Sequence, residues 1–291
     1  MIRVACAAAT VLLLLGSVAR AEGTPKEEIE TTYLFGFTQG SDTPEKGKIE
    51  VESQTTGRFG KDTGSYATVL QEFSAKFAPF EDFSIAPGIG LSWYGISGVT
   101  GLNDTQQFTF DSAFVEMRYR ILSRKTSPFG LTVGVDPYYS RVDEVTGTLV
   151  DRWGADFWLI VDKELIEGKL FGALNFGYLP QTVGARDTGL WTNQSKLASS
   201  ASISYQFAER VFAGVEARYL LAYDQGLGLN RLTGQALYIG PTFFANLGEH
   251  AWVSAAWGIQ VAGYATDAGA GTLDLTNFER HQARLHFGYT F

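Results

Sequence analysis

From residue 72 to the end, the chain alternates apolar with polar or small residues over one segment after another. Phe73, Ala75 and Phe77 oppose Glu72, Ser74 and Lys76, and Phe83, Ile85, Pro87, Ile89, Leu91 and Trp93 oppose Ser84, Ala86, Gly88, Gly90 and Ser92. Val115, Met117 and Tyr119 oppose Glu116, Arg118 and Arg120; Trp153, Phe157 and Leu159 oppose Arg152 and Asp156. The same holds around Ile203–Phe207, Val211–Tyr219, Leu237–Ala245 and Val253–Val261. A period of two describes strands with one oily face and one wet face. With a weaker first strand near Ile49–Phe59 and a terminal strand over Ala283–Phe291, about twelve strands are predicted.

The connections alternate as well. Short ones fall at 78–82, 123–128, 163–168, 208–210 and 247–250, and longer ones, rich in Gly, Asp, Asn and Thr, at 97–106, 142–150, 180–194, 224–234 and 265–277. Only the first hairpin, Gly60–Ser65, is short where a long loop is expected. Short turns at one end and long loops at the other are the pattern of an all-β, antiparallel up-and-down transmembrane barrel. An even strand count would put both termini in the periplasm. A soluble sandwich is the competing architecture, but it would rarely give every strand a charged or glycine-rich second face. Pro87 and Pro241 lie inside predicted strands, where each removes a ladder donor.

In the last nine residues Phe291, Tyr289, Phe287, Leu285 and Ala283 share one face, and Thr290, Gly288, His286 and Arg284 the other. An aromatic strand ending on Phe291 resembles the final strand of Gram-negative outer-membrane β-barrels. That resemblance implies that Phe287, Tyr289 and Phe291 serve as the assembly signal, with the barrel-assembly machinery a partner during biogenesis and outer-membrane lipid and lipopolysaccharide partners afterwards. The front end agrees. Arg3, the apolar run Val11–Leu15 and Ala19-Arg20-Ala21 read as a signal peptide over residues 1–21, cleaved before Glu22. The apolar run is shorter than the roughly 20 residues of a spanning helix.

Cleavage would remove Cys6, the only cysteine, and with it any disulfide or thiol chemistry. It also removes two of the 23 basic residues and none of the 31 acidic ones, taking the net charge from −8 to about −10. An acidic exported chain is a poor nucleic-acid binder. Mean hydropathy near zero excludes an ordinary helical membrane protein, but not a barrel, whose two faces average to nothing. Aromatics at 14% and 33 glycines suit barrel walls.

Residues 22–47 do not continue the wall pattern. Glu22–Glu30 is polar, and Tyr33-Leu34-Phe35-Gly36-Phe37 is an apolar knot. The domain plan is therefore residues 1–21 signal peptide, 22–47 periplasmic segment or plug, and 48–291 barrel. The knot either plugs the barrel mouth or latches onto its floor; a tail with a local anchor is the plainer alternative.

Candidates for chemistry are few. His286 faces inward beside Arg284, and His250 sits in a predicted turn beside Glu249. His281 faces outward near Glu279, where a lipid hydrolase would need a serine and an acid to complete a triad; no serine stands two residues away. No metal or phosphate-binding spacing is present, and Gly57–Asp62 only superficially resembles a P-loop. Neither a cofactor nor an enzymatic activity is expected. Asp104, Asp143, Glu144 and Asp151 read as solvated loop charges, with binding of divalent or lipopolysaccharide-bridging cations the alternative.

The strongest functional signal is the inward face. It collects Glu50, Glu52, Arg58, Glu72, Lys76, Glu116, Arg118, Arg120, Asp136, Arg152, Asp156, Asp162, Lys196, Glu216, Arg218, Arg280, Arg284 and His286. Charges of both signs in a low-dielectric shell must be paired or cost several kcal/mol each. The set is either a salt-bridged packing or a narrow path that orients a polar or anionic solute, and about twelve strands leave room for either. The Glu116–Arg120 strand and Tyr33–Phe37 followed by Glu45-Lys46-Gly47 resemble uncharacterised alphaproteobacterial barrels. These are grouped with the transporter-like family named after the MetA pathway of phenol degradation, a resemblance that implies passage of small molecules. The expected function is an outer-membrane channel or transporter-like barrel for small polar or anionic solutes. A sealed structural barrel is the rival, and a lipid-active enzyme the distant third.

Overall fold

A computed structural model describes residues 29–267 and 271–291. The proposed signal peptide and cleavage site lie outside the described residues. Twelve strands follow one another: β1 (Ile49–Phe59), β2 (Ser65–Phe80), β3 (Phe83–Ser97), β4 (Thr105–Leu122), β5 (Gly130–Val142), β6 (Leu149–Ile166), β7 (Leu170–Ala185), β8 (Trp191–Ala208), β9 (Val211–Asp224), β10 (Arg231–Asn246), β11 (Ala251–Ala265) and β12 (His281–Thr290). Each pairs with its sequence neighbours, and β12 returns to pair with β1, so the sheet closes into a barrel. The seam is antiparallel, running from Glu50 opposite Thr290 to Phe59 opposite His281. Closure leaves no unpaired edge.

The register follows the alternation. Phe73, Ile89, Tyr119, Trp153, Phe176, Ile203, Trp257 and Leu285 are exposed on the outer face, while Lys76, Ser92, Arg118, Asn175 and Ser202 are buried inside. One bulge adjusts the pattern: Gly90 pairs with Ser112 but Leu91 with Phe110. Asp111 is left over, and both Asp111 and Ser112 are buried. A β-bulge re-aims side chains in this way, and here it adds a carboxylate to the inner face.

Four outward prolines are tolerated by one device. Pro87, Pro137, Pro180 and Pro241 each pair with one neighbouring strand, and the ladder on the other side is interrupted at that level. The missing N–H is thus confined to a single local gap.

The connections differ from expectation. At the end where β1 begins and β12 finishes (the terminal end), they are short, as predicted. At the opposite end (the loop end), β7 continues to Ala185 and β8 starts at Trp191, leaving only 186–190 as loop; β9 and β10 likewise leave 225–230. The strands run on past the apolar band, where Gln181, Thr182, Asn193 and Gln194 still pair. There, hydrogen bonding persists while hydrophobic alternation ends, so a pattern reading truncates the strands. Only the β11–β12 connection stays long.

Gly240 marks a close approach of two strands: a Cβ there would lie 1.6 Å from the Trp257 carbonyl oxygen. At Gly258 on the facing strand, the nearest atom would be the end of the Arg218 side chain rather than backbone, at 3.3 Å. Gly240→Ala should therefore destabilise the folded barrel by roughly 1–3 kcal/mol, and Gly258→Ala, which meets a side-chain end and not backbone, should cost clearly less. Urea titration followed by gel mobility of unheated samples checks both; equal effects would refute this account.

Candidate functional site

The inner face is organised in three storeys, beginning at the terminal end. Residues 31–43 lie inside the barrel, with Thr31, Leu34, Phe35, Thr38 and Ser41 fully buried. Tyr33, Leu34 and Phe35 pack against Phe171, Phe212, Phe244 and Trp252, with Tyr33 stacked on Trp252 at 4.4 Å. These aromatics are inward residues next to the short turns, at the starts of β7, β9 and β11 and the end of β10. The segment turns at Gly36, whose φ is +83° and whose Cβ would lie 2.8 Å from both Ala256 and Thr242. Only glycine meets both demands.

The other side of the segment is polar, and the barrel supplies partners for its backbone. Glu216 accepts from Phe37 N at 2.8 Å and Thr38 N at 2.9 Å. Asn175 accepts from Gln39 N at 2.7 Å and donates to Gln39 O at 2.9 Å. Arg118 donates to Gly40 O at 2.5 Å, and Thr132 to Ser41 O at 2.5 Å. Asp162 accepts from Ser41 N at 3.0 Å and Ser41 Oγ at 2.5 Å, and from Thr31 Oγ1. Asp42, carried by the segment, pairs with Arg124 and, at 3.5 Å, with Arg120; Arg124 also lies 3.4 Å from Asp162. Beside them Glu52 accepts from Tyr33 OH at 2.6 Å and pairs with Lys76 at 2.7 Å and His286 at 3.2 Å.

Above this floor is a cavity of about 410 Å³. Most of its wall carboxylates sit on one arc, Glu72 on β2, Asp111 and Glu116 on β4, Asp136 on β5 and Asp156 on β6, while Glu52 on β1, Glu144 and Glu279 also line it. Lys196 on β8, Arg218 on β9, Arg284 on β12 and Arg58 on β1 occupy the remaining arc. Arg152 is the cation on the acidic arc. Phe37 rises from the floor on the cationic side, its ring 3.5 Å from the Arg218 guanidinium and 4.3 Å from that of Arg284.

The roof is built by loops that fold inward. Glu144 in the β5–β6 loop reaches Arg58 at 3.1 Å and Arg152 at 3.9 Å, and pairs with Lys196. Glu144 is thus no solvated loop charge: it ties β1, β6 and β8 together across the lumen. Tyr66 donates to Val145 O at 3.0 Å and steadies the loop. In the β11–β12 loop Phe278 and Glu279 are buried, and Lys61 donates to the carbonyls of Thr276 at 3.1 Å and Phe278 at 2.8 Å.

The predicted lumen residues separate by storey. Glu72, Glu116, Arg152, Asp156, Arg218, Arg284 and His286 line the cavity. Arg118, Arg120 and Glu216 hold the inserted segment. Glu50 sits at the terminal rim, accepting from Trp252 and Thr290 at 2.9 Å each. Arg280 does not belong: it is exposed and outside the cavity lining. Regular β12 begins only at His281, so counting the alternation back from Phe291 extends it one residue too far. His281 accepts from the Trp257 indole at 3.3 Å, whereas Glu279 is buried within, so the wall does not gather this histidine and acid. Among the described residues, no group of three or more His, Cys, Asp or Glu side chains is arranged to hold a metal.

Closed topology, apolar exterior and charged interior define an outer-membrane-type β-barrel. The chain belongs to DUF6662, a family of unknown function, whose model matches residues 27–291. No curated protein is similar in sequence. The fold is similar to the COG4313 outer membrane channel of Pseudomonas putida F1, with a TM-score of 0.60 at 11% identity, covering 86% of this chain and 98% of that one. It is also similar to the β domain of the Bordetella autotransporter BrkA, with a TM-score of 0.54 at 10% identity, covering 84% and 100%.

Asp162→Ala should leave the Ser41 amide and the Thr31 and Ser41 hydroxyls without this acceptor, at a cost of about 3 kcal/mol. Hydrogen exchange at residues 31–43 should accelerate while the wall strands stay protected. If both accelerate together, the segment is not separately anchored.

Proposed function

We propose that the protein is an outer-membrane channel for small polar or anionic solutes, with both termini in the periplasm. Its lumen is closed on the terminal side by residues 31–43. The observation that carries this reading is the central cavity: about 410 Å³ of space lined by charged side chains, in a barrel whose floor and roof are hydrogen-bonded loops rather than wall. Segments of that kind open at lower cost than a sheet. Outer-membrane lipid and lipopolysaccharide would surround the apolar exterior, and the aromatic strand bearing Phe287, Tyr289 and Phe291 would be read during assembly. The reading involves no catalysis.

A sealed structural barrel is the second reading. It is favoured by one observation, the hydrogen bonding of the inserted segment on both flanks.

Planar-bilayer recording separates the two. The wild type should conduct weakly, and Asp42→Ala with Asp162→Ala, which release the floor, should raise the conductance severalfold. Glu144→Gln, which unties the roof, should raise it further and shift ion selectivity. Absence of current in all of these variants would sink the channel reading.

A further inference from the structure

Most charges in the lumen are spoken for. Glu144 takes Arg58, Arg152 and Lys196; Glu216 takes Arg218 at 2.8 Å. Glu72, Asp111 and Glu279 have neutral hydrogen-bond donors instead, and three further cavity-lining groups have neither an ion pair nor a full set of hydrogen bonds. Asp136 and Asp156 face each other directly across the β5–β6 ladder. Neither has an ion-pair partner among the described residues, and one oxygen of each is buried without a hydrogen bond. On the opposite arc, Arg284 has no carboxylate partner among the described residues. Its guanidinium rests on the Phe37 ring, and its Nε is buried without a hydrogen bond.

This arrangement is costly as it stands. Two like charges on adjacent inward positions repel, and buried polar atoms without partners forfeit the hydrogen bonds water would give them. A sealed interior would have no use for it. A solute carrying an ammonium at one end and an anionic group at the other would satisfy both sites at once. A simple anion would leave the aspartates uncompensated, and a simple cation would leave Arg284 so.

We infer that the cavity is a binding site for small zwitterionic solutes, whose ammonium lies between Asp136 and Asp156 and whose carboxylate or other anionic group meets Arg284. The inference rests on the reading of the lumen as a solute path and names the class of solute that path selects. Arg218, held by Glu216 against the other contact of Phe37, adds positive potential on the anion side without being the primary partner. A volume of about 410 Å³ lies toward the small end of ligand pockets, which suits a short amino acid better than a peptide or an oligosaccharide.

The test is equilibrium binding to the folded full-length protein in detergent, read by ligand-observed NMR. The probes are 4-aminobutyrate and 6-aminohexanoate, compared with butyrate and butylammonium. One of the zwitterions should bind about tenfold more tightly than either singly charged compound. Asp136→Asn combined with Asp156→Asn should reduce it to the level of butyrate, Arg284→Gln should reduce it to that of butylammonium, and Arg284→Lys should retain most of the preference. Folding of each variant is checked by gel mobility. The double asparagine variant should be at least as stable as the wild type, because it removes a repulsive pair; a loss of stability would mark the aspartates as structural and overturn the proposal. Equal binding of butyrate and the zwitterions would reduce the site to an anion site, and no binding of any probe would also overturn it. Proteoliposome permeation is measured separately. Binding without permeation would spare this site and sink the channel; permeation without zwitterion preference would do the reverse.

Discussion

Irregular backbone enclosed in a barrel must find partners there, because no water-rich surface and no free sheet edge can serve it. The segment from Thr31 to Thr43 meets that demand through lumenal side chains. Glu216, Asn175, Arg118, Thr132 and Asp162 bond to its amides and carbonyls, much as a neighbouring strand would. Many buried charges of the lower lumen are explained by this requirement. They are paired with the inserted chain as much as with one another, and the cavity exists because the segment stops where it does.

The same local motif is put to two uses. Glu216 and Arg218 stand two apart on β9 and pair at 2.8 Å, while the carboxylate still accepts two segment amides. Glu116 and Arg118 stand two apart on β4 but go separate ways. Glu116 meets Lys76 at 3.4 Å, and Arg118 donates to Gly40 O. Spacing alone gives proximity, and the neighbours on adjacent strands decide the partner. Sequence alternation therefore identifies which side chains enter the lumen far better than it identifies what they touch.

That distinction accounts for what was legible. Barrel closure, strand number and the facing of nearly every wall residue follow from a period of two, which local sequence carries in full. The floor and roof do not follow, because Arg124 and Glu144 lie in connections, where no periodicity assigns a direction. One signal was available for the floor. Phe171, Phe212, Phe244 and Trp252 break the polar character of the inward face, each beside a short turn, and an apolar knot at Tyr33–Phe37 had no other place to bury itself. Asp111 needed the bulge, which two adjacent polar residues do not announce. Arg280 shows the opposite failure, an alternation carried past the point where the regular strand begins.

The floor also bears on what the middle of the lumen is for. Where the barrel needs only to be filled, around Phe171, Phe212, Phe244 and Trp252, it uses close-packed aromatic rings and few charges. Apolar packing of this kind is at least as stabilising as buried ion pairs of equal volume. The wall a few residues higher could have been filled in the same way. It is lined instead by charged side chains, with an excess of carboxylates over β2 to β6 and of guanidinium or ammonium groups over the rest, around space that is left open. Glu144 and Glu216 hold their cations there, but Asp136 and Asp156 stay apart from Arg284. Separated charges across an open gap set up a transverse field that acts on whatever enters, whereas at the floor Glu52, Lys76 and His286 are brought together.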